Sequence, residues 1–187
     1  MKVFVLDNYD SFTYNLVHYL NGEGAEVIVN RNNEVDIESV HSCDKIVLSP
    51  GPGLPSDSNS LMDVIANFVG VKPILGVCLG LQAIGVHYGM ELLNLSEVHH
   101  GVEHTIIKTG RHYLFQGIPV QFSAGMYHSW YLQHQSNSIL DTIAVDEAGR
   151  IMALAHPEID VCGVQFHPES IMTNQGRTII HNWISKT

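Results

Sequence analysis

Basic residues are scarce: 9 Lys+Arg stand against 19 Asp+Glu, and the formal net charge is -10. A nucleic-acid partner needs a basic surface to neutralise its phosphates, and an anionic membrane surface makes the same demand, so neither is an expected partner. Long hydrophobic runs are also missing. A membrane-spanning helix needs roughly 20 consecutive apolar residues, and no stretch here approaches that; the opening MKVFVLDNYD has no extended apolar core of the secretory kind. Cysteine is sparse. Cys43, Cys78 and Cys162 lie far apart and form no C-x-x-C pair, which excludes a disulfide framework and suits a reducing compartment. The expected location is the cytosol. No internal repeat, low-complexity stretch or linker interrupts the chain, so residues 1–187 read as one domain.

Hydrophobic residues make up 45% and charged residues only 15%, the balance of a compact enzyme-like chain rather than a disordered one. Residues 2–6 read as a buried strand, followed by Asp10 or Ser11 as a helix N-cap and an apolar face at Leu16, Val17, Tyr19 and Leu20. Residues 22–29 read as a glycine turn leading into a second strand, 44–49 as a third, 60–69 as a helix, and 73–77 as a fourth strand. Short apolar runs alternating with helices predict a parallel sheet covered on both faces. Beyond about residue 90 the texture changes. VEHTIIK, PVQFSA, SILDTIAVD, RIMALAHP and VCGVQFHP are closely spaced strand-like pieces, which predict an antiparallel extension, and 175–185 closes the chain as a helix. The fold class is α/β: a mostly parallel sheet flanked by helices, with an antiparallel extension.

The stretch KPILGVCLGLQAIG places Cys78 between a strand and a helix, with Gly76 and Gly80 two residues away on either side. This G-x-C-x-G layout matches a nucleophile elbow, whose sharp turn leaves room only for small neighbours. Unsatisfied N–H groups and the partial positive charge at the helix start favour thiolate over thiol. The N–H of Leu79 would serve as one half of an oxyanion hole. A small core residue is the ordinary role of a free cysteine; the two glycines and the strand-to-helix setting argue for the nucleophile.

An attacking thiolate needs a group to protonate the leaving amine. In GVQFHPES, Pro168 disfavours the helical region at His167 and keeps it extended. In extended chain, residues i and i+2 point the same way, so Glu169 can orient the His167 ring. The other half of the oxyanion hole is sought in LSPGPGLP, after the third strand, where ligands of parallel sheets collect. Pro50 and Pro52 lack N–H groups, leaving Gly51 and Gly53 as donors able to approach a substrate closely. A phosphate cradle is the rival reading; no Lys-Ser/Thr follows to support it. His99, His100 and His104 cluster with loop and strand flanks and no carboxylate-rich cage, so no metal site is expected there.

SPGPGLP, GVCLGLQAIG and GVQFHPES, together with LDNYDSFTYNLVHYL at 6–20, resemble the triad-type glutamine amidotransferase subunits of anthranilate synthase and aminodeoxychorismate synthase. The likeness runs over practically the whole chain. It implies a flavodoxin-like core, Cys78 as the nucleophile that forms a glutamyl thioester, His167 as general acid/base, and Glu169 as the residue orienting His167. Gly51, Pro52 and Gly53 with Leu79 correspond to the oxyanion and glutamine-contact positions, and Gln82 to the glutamine-binding Gln. Ser129 and Trp130, in YHSW, correspond to the pair whose backbone holds the substrate's α-amino and carboxylate groups. The resemblance further implies hydrolysis of L-glutamine and delivery of ammonia to a chorismate-binding synthase subunit (component I), with no metal or cofactor in this chain. Anthranilate synthase is the favoured complex, from HGV and YHSW. Val102 and Met126 stand where the family often has basic residues, and they are expected to remove positive charge from surfaces facing the synthase. The closest rivals are a solitary cysteine hydrolase of γ-glutamyl compounds and a flavodoxin-like binding module.

Overall fold

The computed structural model describes residues 1–95 and 100–186. Its frame is a nine-stranded sheet in the order β2-β1-β3-β4-β11-β10-β9-β6-β7. The parallel part comprises β1 (Lys2–Asp7), β2 (Glu26–Arg31), β3 (Lys45–Leu48), β4 (Ile74–Val77) and β11 (Val161–Val164). Antiparallel strands β10 (Ile151–Ala155), β9 (Asp141–Asp146), β6 (Val102–Lys108) and β7 (Gln121–Met126) extend it. The central strands KIVL, ILGV and VCGV are buried at every residue, as a sheet covered on both faces requires.

Alternation along β1 shows the two faces. Val3 and Val5 join the core under α1 (Thr13–Gly22) and α5 (Gly176–Ser185). Phe4 and Leu6 face the core under α2 (Ile37–Ser42), α3 (Leu61–Phe68) and α4 (Leu79–His87). Leu61, Val64, Ile65 and Phe68 give α3 its buried stripe at i, i+3, i+4 and i+7. Each such side chain contributes about 1.5–3 kcal/mol of burial. Helix α4 is buried continuously from Leu79 to Gly85, so it sits under other elements rather than at the surface.

Several expectations change in detail. The first helix begins at Thr13 with Phe12 at the N-cap, not Asp10 or Ser11. The acidic residues brace the preceding turn instead: Asp10 Oδ1 accepts from Phe12 N, and Asp7 Oδ1 accepts from Tyr9 N and Thr13 Oγ1. Helix α2, capped by Asp36, is an addition to the elements expected from the sequence. VCGV has the texture of the antiparallel pieces, yet β11 runs parallel to β4 and belongs to the central sheet. A second sheet pairs β5 (Leu92–Asn94) with β8 (Trp130–Leu132). Val102 and Met126 are register partners across β6 and β7. Val102 is exposed as expected, but Met126 is fully buried and so does not belong to a partner-facing surface. No described helix is long and apolar enough to cross a membrane.

Candidate active site

The site forms where four chain segments leave the carboxyl ends of parallel strands. Strand β4 runs into α4 through Cys78, whose φ of 52° and ψ of -103° lie in a region L-residues rarely adopt. That conformation needs empty space on both sides. A Cβ on Gly76 would stand 2.5 Å from the Gly80 carbonyl carbon, and one on Gly80 would stand 2.3 Å from the Leu48 carbonyl oxygen. The two glycines are therefore required by contact with backbone, as the elbow layout predicts.

Strand β11 lies beside β4 with Val164 opposite Val77. The next step of that ladder is the bond from Cys78 N to Val164 O at 2.8 Å. The chain leaving β11 therefore passes directly by the elbow, and it carries His167. The His167 ring is almost wholly buried. Its Nδ1 donates to Glu169 Oε1 at 2.6 Å, with both side chains at most 2% exposed. Rings of Tyr127 (4.9 Å between centroids) and Phe12 (5.8 Å) meet it edge-on. Its backbone is held on both sides: His167 N donates to Gly125 O, and Thr173 Oγ1 donates to His167 O.

Burial is the largest single influence on His167 and would by itself lower its pKa. The Cys78 sulfur and the Glu169 carboxylate together override it, and the pKa stands well above the ordinary imidazole value. The sulfur acts on the ring at short range, although no aligned hydrogen bond reaches Nε2, which is buried without a partner. With Nδ1 committed to Glu169, Nε2 is the nitrogen left to exchange a proton with the thiol or with a leaving amine. Cys78, His167 and Glu169 are thus brought together in the order that a nucleophile, a base and an orienting acid would need.

The loop after β3 reaches the same place. Asn8 N donates to Ser49 Oγ and Asn8 Nδ2 donates to Ser49 O, both at 2.9 Å, anchoring the loop's root. Asn32 supports Asn8 and is in turn bonded by Asn59. Gly51 lies against the elbow: a Cβ there would stand 2.8 Å from Leu79 Cδ2 and 2.5 Å from Asn8 Cβ. Gly51 and the Leu79 side chain are therefore close neighbours. Pro52 and Gly53 are exposed, and Gly53, at φ +78°, has nothing within 4 Å of a Cβ position, so neither is drawn into the buried part of the site.

Gln82 is buried on α4, one turn past the nucleophile. Its Nε2 donates to Trp130 O at 2.9 Å. Strand β8 comes this close because Gly85, three residues on, leaves room for Leu132. The carbonyl of Trp130 is thus already used inside the protein, as is that of Ser129, which accepts from Leu95 N. Trp130 thus adjoins Gln82 through its carbonyl, and Ser129 precedes it at the start of β8. Gln165 is a site residue that sequence reasoning missed: its Nε2 donates to Cys78 Sγ at 3.5 Å. The i, i+2 rule that joins His167 to Glu169 finds it when extended one step backwards. Of the histidines considered for metal, His100 packs against the Tyr127 ring, and His99 lies outside the described residues. Among the described residues no three His, Cys, Asp or Glu side chains gather to hold a metal ion.

Comparison with known proteins identifies the family and the fold. Residues 4–187 match the family model described as Glutamine amidotransferase class-I, and the chain belongs to that family. It is 41% identical over 186 residues to Anthranilate synthase component 2 of Pyropia yezoensis, covering 97% of this chain and 98% of that one. It is 38% identical over 185 residues to Aminodeoxychorismate/anthranilate synthase component 2 of Bacillus subtilis, covering 97% and 95%. Against the Bifunctional protein TrpGD of Thermotoga maritima it is 40% identical but spans only 32% of that longer protein. The crystal structure of a glutamine amidotransferase from Thermotoga maritima superimposes with a TM-score of 0.83, at 11% identity, over 98% of this chain and 96% of that one. That likeness establishes the fold.

Proposed function

We propose that this chain is the glutaminase subunit of a chorismate-aminating synthase, most simply anthranilate synthase. The observation that carries the reading is the buried Cys78–His167–Glu169 set at the carboxyl end of the parallel sheet. The Cys78 thiolate attacks the side-chain amide carbon of L-glutamine. The N–H groups of Leu79 and the Gly51 loop hold the oxygen as it becomes negative. His167 passes its proton from Nε2 to the departing nitrogen, ammonia leaves, and a glutamyl thioester remains on the sulfur. Water then adds to the thioester with His167 as base, releasing glutamate and the thiol. No step calls for a metal or organic cofactor.

The partner reading draws on the component 2 names of the relatives, which belong to two-component synthases. It also draws on the burial of the site, where Cys78 is 5% exposed and His167 1%. A glutaminase held closed until its synthase docks would not waste glutamine. A complex serving aminodeoxychorismate formation is the second reading, favoured by the double name of the Bacillus subtilis relative.

The test is reconstitution with a candidate component I. Cys78→Ser abolishes glutamine-dependent amination of chorismate and leaves the ammonia-dependent reaction intact. Glutamine use by that variant would sink the nucleophile assignment. High turnover of the isolated chain, unchanged by component I, would point instead to the solitary γ-glutamyl hydrolase.

A further inference from the structure

Gln165 is fully buried beside the nucleophile, two residues before His167, in a position to join two parts of the site. Its Nε2 donates to Cys78 Sγ at 3.5 Å, and its Oε1 accepts from Gln82 Nε2 at 3.2 Å. The far end of this chain of amides fixes its direction. The Trp130 carbonyl can only accept, so Gln82 turns its NH2 group toward it. The second hydrogen of that nitrogen then meets Gln165 Oε1, which leaves the Gln165 NH2 group for the sulfur. Turning Gln82 over would set its oxygen against the Trp130 oxygen. Turning Gln165 over would set its NH2 group against that of Gln82. One arrangement satisfies all three contacts.

Two consequences follow for catalysis. An N–H donor aimed at sulfur favours the anion over the thiol, since hydrogen bonds to a charged acceptor are roughly twice as strong as neutral ones. That donor is most effective as the thiolate attacks and loses strength once the sulfur is acylated. Meanwhile both N–H groups of Gln82 are used within the protein, so its Oε1 is the atom left to meet an N–H donor of the substrate. We propose that Gln165 is a further catalytic residue: it stabilises the Cys78 thiolate and, through Gln82, fixes the orientation of the glutamine pocket. This rests on the glutaminase reading in taking Cys78 as the nucleophile, but not on the identity of the synthase.

The experiment labels the chain within the reconstituted complex with iodoacetamide over a pH series and follows its Cys43, Cys78 and Cys162 separately by mass spectrometry. Glutaminase kinetics in the reconstituted complex accompany it. Gln165→Leu removes both contacts. It moves the pH of half-maximal Cys78 labelling upward by about one unit, lowers kcat by about tenfold, and raises KM for glutamine. Gln165→Glu keeps an oxygen for Gln82 but sets a carboxylate against the sulfur. It moves the labelling midpoint further upward while KM stays near that of the unsubstituted chain. Cys78 labelling profiles in both variants that superimpose on the original would overturn the proposal. So would a variant in which all three cysteines label alike, because Gln165 would then be holding the fold rather than the nucleophile. If Cys78 of the unsubstituted chain reacts no faster than the other two cysteines, the glutaminase reading itself fails, a result distinct from either of these.

Discussion

Replacing Gly80 by alanine tests the elbow at its tightest point. The added methyl group would stand 2.3 Å from the Leu48 carbonyl oxygen and 2.7 Å from Leu48 Cβ. Ordinary carbon contacts begin near 3.5 Å, so the start of α4 and the end of β3 must separate by roughly 1 Å. Overpacking of this kind costs about 1–3 kcal/mol. Alanine's better helix propensity returns up to about 1 kcal/mol, so the expected net loss is about 1–2 kcal/mol, read as a lower urea midpoint at unchanged slope. The loss of activity is larger. Leu79 N–H and the Gly51 loop ride on the two elements being separated, and a misplacement of about 1 Å in a catalytic constellation costs about 10²-fold. Gly22→Ala is the control: Gly22 ends α1 with nothing within 4 Å of a Cβ, and alanine there is neutral or stabilising by up to about 1 kcal/mol. Gly80→Ala with full glutaminase activity and an unshifted midpoint would refute the steric account of the elbow.

Other perturbations address the base and the far end of the sheet. Glu169→Gln takes away the carboxylate that helps hold the His167 pKa up, so an NMR titration of the ring moves to lower pH and kcat falls by about 10²-fold or more. Because the folded-state pKa of His167 is raised, its stabilising contribution is fully present below the unfolded value of about 6.5 and is lost as pH climbs through the folded value. The stability advantage over His167→Gln, measured by urea unfolding, therefore shrinks as pH rises above about 6.5; an advantage that grew with pH would reverse the assignment. Lys45 is buried at the opposite end of β3 and donates to the carbonyls of Trp183, Ile184 and Lys186 at the end of α5. Lys45→Met leaves those carbonyls without their cation and costs about 1–3 kcal/mol, with kcat unchanged; a drop in kcat at intact stability would contradict that purely structural role.

Local features were legible in the sequence, and features set by distant partners were not. The elbow, the His-Pro-Glu stretch and each single element of the βαβ front end are written within about ten consecutive residues, where turn chemistry and periodicity act directly. Helix α2 is only six residues long and buries Val40 alone, so it leaves no apolar stripe to read. Met126 reads as a surface position only through the resemblance, since the family often has a basic residue there; its burial comes from the packing of β7 in the assembled core. Gln165 stood in plain view beside His167, but its task depends on Cys78 and Gln82, 87 and 83 residues earlier.

The same dependence explains why the direction of β11 matters more than any single catalytic residue. Strand β10 runs antiparallel to it, so β11 itself lies parallel to β4 and emerges at the same end as the elbow. Register then decides the rest, since a slip of one residue would turn Gln165 and His167 to the other face of the sheet. Gly163 sits opposite Gly76 in that register. A Cβ on Gly163 would press within 2.7 Å of the Gly76 carbonyl oxygen and 2.9 Å of Leu81 Cδ1. Gly76 and Gly163 in the sheet and Gly80 in the helix form one platform without side chains, on which α4 settles. Its depth sets the height of Cys78 against the imidazole. Two of those glycines announce themselves beside the cysteine; the third is visible only once the two strands lie side by side.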